Sequence, residues 1–93
     1  MERLKAAELF LRGIVAKAAG NVKIAREALM AYRSLEPEDP SVYLSLAELS
    51  LANDEVEESV YFLSQCLEVN ESYAIARKKL EDICRRYGWN MPS

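Results

Sequence analysis

The sequence predicts an all-α domain of about five helices, arranged as stacked antiparallel helical hairpins. Three observations carry that expectation. The chain nearly repeats itself every 34 residues: Leu9 lands on Tyr43, Gly13 on Ala47, Gly20 on Asp54, Ala25 on Ser59, Leu29 on Leu63 and Leu35 on Val69. Self-similarity at that period marks helical hairpins that bury their apolar faces against neighbours. The composition agrees: 51% hydrophobic residues with three Gly and three Pro in 93 residues fit one globular helical domain, residues 1–93. Finally, apolar residues recur three and four apart. Val22, Ala25, Ala28, Leu29 and Tyr32 form one stripe, and Val56, Val60, Leu63, Cys66 and Leu67 form another.

The elements follow from start and stop signals. The first helix covers residues 3–19 and stops at Gly20-Asn21, a dipeptide able to end one helix and cap the next. The second covers 22–35 and ends before Pro37, whose ring disfavours helix in the residue ahead of it. Asp39-Pro40, an N-cap acid before a proline at the first helical position, starts the third, which runs to about Asn53. Asp54 with Glu57 reads as a capping box for the fourth, ending near Asn70. The fifth covers 72–87 and stops at Gly88, after which Trp89 is expected to pack back onto it, the alternative being an exposed contact residue. Gly13, Ala25 and Ala47 are small where helix axes must approach closely.

With these residues in register, the chain resembles the tetratricopeptide repeat (TPR) family. Repeat one spans about 6–39, repeat two about 40–73, and a capping helix about 74–88. Gly13 falls at the family's small helix-A position, Gly20 at the turn, Ala25 at the small helix-B position and Pro37 at the closing proline. The sequence departs from the family pattern at Ala16 and Ser50, where a bulky aromatic is usual. It departs again at Tyr32 and Cys66, where a small residue is usual, and at Glu71 in place of the second closing proline. The resemblance implies a right-handed α-α superhelix whose concave face binds extended or helical segments of partner proteins. Its binding positions match Phe10, Ile14 and Lys17 in repeat one, Leu44, Glu48 and Leu51 in repeat two, and Lys78, Asp82 and Arg85 in the last helix. The family's clamp for a C-terminal carboxylate needs Lys and Asn there. The apolar residues found instead suit the apolar side of an amphipathic helix, with Lys17 and Glu48 at the edges of the floor. In fold and size the chain is also similar to the small TPR-like needle-subunit chaperones of type III secretion, so a chaperone is one form of this expectation.

The residues offer little chemistry. No histidine is present, which removes the commonest general base and metal ligand. Cys66 and Cys84 form no CxxC and fall on apolar helix faces, so they read as buried inert thiols. Asp54, Glu55, Glu57 and Glu58 resemble a cation cluster, but acids in the first turn of a helix complement its dipole. Asn70-Glu71-Ser72 matches a glycosylation sequon and reads as a helix cap. The expectation is a non-enzymatic protein with no metal and no cofactor.

Charge is segregated along the chain. Residues 1–33 carry seven basic and three acidic side chains, residues 34–72 ten acidic and no basic ones, and residues 73–93 five basic and two acidic. Attraction between neighbouring helices explains this simply. The alternative function is self-assembly into homo-oligomers, the acidic middle of one copy meeting a basic end of another. A nucleic-acid site at Arg77, Lys78, Lys79, Arg85 and Arg86 is disfavoured by the acidic middle and the net charge of −3. No apolar run reaches the roughly 20 residues a bilayer span needs, and Met1-Glu2-Arg3-Leu4-Lys5 lacks a signal-peptide core, so a cytoplasmic protein is expected.

Overall fold

The computed structural model describes residues 2–91; Met1, Pro92 and Ser93, including the end of the tail after Trp89, lie outside the described residues. Among the described residues there are five helices and no strand: α1 (Glu2–Ala18), α2 (Val22–Leu35), α3 (Pro40–Ala52), α4 (Val56–Val69) and α5 (Ala74–Tyr87). Consecutive helices pack as antiparallel hairpins, and α1 also touches α3 across the stack. The result is elongated, 44 × 26 × 16 Å.

The 34-residue period is written into the backbone. Gly20, Asp54 and Gly88 are each 34 apart, and all three adopt left-handed conformations with φ of 78°, 59° and 69°. After each, an amide reaches back to the helix it leaves: Asn21 N–H to the Ala16 carbonyl, Glu55 N–H to Ser50 and Trp89 N–H to Cys84, each at 2.8 Å. This is the Schellman ending, in which a left-handed residue turns the chain so that an orphan carbonyl is satisfied. Glycine adopts it without strain, whereas Asp54 does so against its Cβ. Asp54→Gly is therefore expected to stabilise the chain by about 0.5–1 kcal/mol, read as a higher urea midpoint with an unchanged slope.

The same geometry corrects two expectations. Asp54 does not cap α4: the N-cap is Glu55, without a side-chain cap hydrogen bond, because the residue at 54 is already committed to ending α3. Helix α5 starts at Ala74 and not at Ser72, because the Asn70 side chain takes the Ser72 N–H at 3.1 Å and holds the chain in a turn. The other boundaries lie within one residue of expectation. Asp39 caps α3 as its sequence suggests, accepting from Ser41 N–H at 2.9 Å and Ser41 Oγ at 2.7 Å, with Pro40 at the first helical position.

Asp39 also accepts the Tyr32 hydroxyl, tying the end of α2 to the start of α3. Partial burial raises the Asp39 carboxyl, but the hydrogen bonds from Ser41 and Tyr32 outweigh it and hold the group below its ordinary 3.8. A depressed native value means this stabilisation is complete above the unfolded value and is lost as pH falls through the native one. The urea midpoints of wild type and Asp39→Asn should differ at about pH 5 and converge towards about pH 2. Partly buried and facing Asp39, Tyr32 is pushed up to about 12 and stays neutral.

The core runs the length of the stack. Leu29, Val42, Leu46, Leu63, Cys66 and Leu80 are essentially inaccessible, as are Ala25 and Ala47. Where α1 crosses α2, a Cβ added to Gly13 meets Leu29 Cγ at 2.6 Å, so the helices approach as closely as their backbones and this leucine permit. In α4 the buried stripe is Ser59, Phe62, Leu63 and Cys66, shifted from the expected one, with Val56, Val60 and Leu67 half-buried at its border. Phe62 is drawn in beneath α2, where the Arg33 guanidinium lies 6.0 Å from its ring centroid.

Candidate functional site

Helices α1, α3 and α5 share one side of the stack, and their side chains meet along it. Lys17 Nζ on α1 donates to Glu48 Oε1 on α3 at 2.7 Å, and Lys79 Nζ on α5 lies 3.6 Å from Glu48 Oε2. One carboxylate thus ties three helices together. Around this ladder a groove of about 510 Å³ is lined by Ile14 and Ala18 of α1, Val22 of α2, and Leu51 and Ala52 of α3. Ala18 and Ala52 are exposed, so small residues leave the groove open.

Of the nine expected positions, Ile14, Lys17, Glu48 and Leu51 line this groove. Lys78 and Asp82 flank a smaller hollow that adjoins it through Lys79, and Asp82 shares a further one with Leu51. Phe10 lies outside the groove, its ring 4.8 Å from that of Tyr32 in a neighbouring hollow at the α1–α2 edge that shares Ile14 with it. Leu44 packs against the core, and Arg85 is exposed and bonded to Asp82 at 3.2 Å. Lys17 and Glu48 differ from expectation, because paired to each other and to Lys79 they bridge the face between helices and do not rim it.

Lys79 is the residue the repeat register missed. Lys17, Glu48 and Lys79 are 31 residues apart, one helical turn short of the 34-residue period. Inclined neighbouring helices bring residue i beside i+31, while the repeat aligns i with i+34. The regular 31-residue spacing of alternating charge was the available signal.

Much of the charge segregation is resolved within the chain. Arg26 on α2 pairs with Glu55 at 3.0 Å and with Glu58 on α4, while Glu48 takes the two lysines. These acids therefore hold helices together, and Glu57 and Glu58 also lie in the first turn of α4, where they complement its dipole. Among the described residues no group of three or more His, Cys, Asp or Glu side chains is placed to hold a metal ion, and no helix is long and apolar enough to cross a membrane. Both cysteines are free and buried. Burial, with the nearby charge of Asp39, pushes the Cys66 thiol up to about 11, and its S–H points to the Pro40 carbonyl at 3.2 Å. Such a thiol is protonated at neutral pH and makes a poor nucleophile. Trp89 stacks on Tyr87 with ring centroids 5.1 Å apart and stays 40% exposed.

No protein-family model matches this chain, and neither a curated protein nor a solved structure matches it.

Proposed function

We propose that this chain is a helical-repeat interaction module of tetratricopeptide type that holds an amphipathic helix of a partner protein along the α1–α3–α5 face. The observation that carries it is the open groove between Ile14, Leu51 and Ala52, floored by apolar side chains and crossed by the Lys17–Glu48–Lys79 ladder. An apolar helix side lies on the floor, and anchors three and four residues apart fit a groove of this kind. The ladder carries one excess positive charge and Arg86 adds another along α5, whereas Lys78 is paired with Asp82 at 4.0 Å, so an acidic flank on the bound helix suits the Lys79–Arg86 side. A small chaperone that shields such a helix from aggregation is the more pointed form of the same proposal.

The test is affinity capture from native extract, read by mass spectrometry, comparing wild type with Ala52→Arg. Ala52 is exposed on the groove wall, so arginine obstructs the groove while leaving the core untouched. The expected result is a protein held by wild type and lost by the folded variant. Equal capture by both removes the groove from the mechanism.

A further inference from the structure

In the first two hairpins the second helix covers one flank of the first, α2 on α1 and α4 on α3, whereas α5 has no helix after it among the described residues. On α1 that flank is marked by Gly13, which abuts Leu29 of α2. One repeat on, Ala47 is inaccessible within the α3–α4 hairpin, and one further the same position is Glu81, open to solvent. A turn along the helix the pattern changes. The equivalents Ala16, Ser50 and Cys84 are all buried, at 9%, 0% and 4% exposure, so on α5 something other than a helix covers Cys84.

The cover is the chain that follows the helix. Gly88 turns it back in a left-handed conformation, and Trp89 N–H bonds to the Cys84 carbonyl at 2.8 Å. The Asn90 carbonyl oxygen then lies 3.8 Å from Cys84 Sγ. Met91 reaches a hollow of about 330 Å³ shared with Leu80 and Arg77 of α5 and with Ser64 and Leu67 of α4. Three residues thus descend two turns of α5, in the place where α1 and α3 receive a second helix. They are a light substitute, since α2 and α4 are 14 residues each, and Trp89 and Met91 remain 40% and 38% exposed. Helix α5 is anchored without them, by Ala76 and Ile83 in the core and by the Lys79–Glu48 pair, so a few local contacts separate a closed tail from a lifted one.

We propose that residues 89–91 are a strap that opens and closes over the flank of α5 while the rest of the protein stays folded. Opening uncovers Leu80 and Cys84 where the earlier repeats seat the second helix of a hairpin, so the strap governs access to this end of the stack. Neither Cys84 nor Met91 lines the groove of the α1–α3–α5 face, so the strap is independent of the groove proposal and Ala52→Arg does not test it.

Labelling of the full chain with iodoacetamide, followed separately for the two cysteine peptides by mass spectrometry, decides it. Cys66 is inaccessible in the core and serves as the clock for global unfolding. Cys84 should label more than about 100-fold faster than Cys66, through strap opening alone. Met91→Ser removes the seated side chain and should speed Cys84 labelling by about tenfold, with the Cys66 rate and the circular dichroism unchanged. Equal rates for the two cysteines in wild type mean that Cys84 is reached only by unfolding, and overturn the proposal. A Cys84 rate that Met91→Ser leaves unchanged, or raises only together with that of Cys66, overturns it as well.

Discussion

Gly13→Ala is expected to lower the melting temperature by roughly 5–15 °C, although alanine is the better helix former by about 1 kcal/mol. The new methyl group would stand 2.6 Å from Leu29 Cγ and 2.7 Å from Leu29 Cδ2, well inside contact distance. Leu29 is fully buried, so the methyl group is accommodated only by displacing that leucine within the core or by opening the α1–α2 hairpin. Overpacking of this kind costs about 1–3 kcal/mol, and Gly13→Val should sit at or above the upper end. The cause is checked by a cycle with Leu29→Val, which removes one methylene from the crowded site. The double variant Gly13→Ala, Leu29→Val should lose less than the sum of the two single losses. A strictly additive result places the strain elsewhere.

The second large effect is expected at Glu48. Glu48→Lys removes both ion pairs of the ladder and sets three lysines side by side across α1, α3 and α5. The three side chains are about one-third exposed, so water screens them and each pair alone is worth little. Two lost pairs with two new repulsions give a destabilisation of about 1–2 kcal/mol. It should shrink in about 1 M salt, where the screening length falls to a few ångströms. Thermal melts at low and high salt check this. Glu48→Gln should show roughly half the loss, because it removes attraction without adding repulsion. A salt-independent loss would mean that packing of the Glu48 stem, and not charge, holds the face together.

The parts of the fold that were legible in the sequence are those set by local chemistry. Asp39-Pro40 fixed the start of α3 because a capping carboxylate and a preset φ act within three residues. Gly20 and Gly88 fixed two helix ends for the same reason. Asp54 misled because its type favours an N-cap, while its place in the period requires a left-handed turn that glycine fills elsewhere. Its 34-residue spacing from both glycines was the stronger signal. Ser72 misled because Asn70 competes for its amide. At the candidate site, Ile14, Lys17, Glu48 and Leu51 were legible from the period, since all four lie on the inward side of first-of-pair helices. The ladder through Lys79 and the packing of Leu44 against the core were not. They depend on the inclination of neighbouring helices, which shifts contacts one turn from the repeat and which a one-dimensional register does not carry. The exposure of Leu11 and Val15 on α1 was hidden for a related reason: apolar residues at helical spacing look the same whether or not a neighbour covers them.

The most direct measurement on the groove is photo-crosslinking from position 52, with a benzophenone side chain in place of Ala52 and the crosslinked peptides identified by mass spectrometry. The expected result is one partner segment, with attachment points three and four residues apart along an amphipathic helix. Its yield should fall when Lys79→Glu reverses the charge beside it. Crosslinks confined to further copies of this chain, or scattered over unrelated proteins without such spacing, would contradict a groove that holds a partner helix.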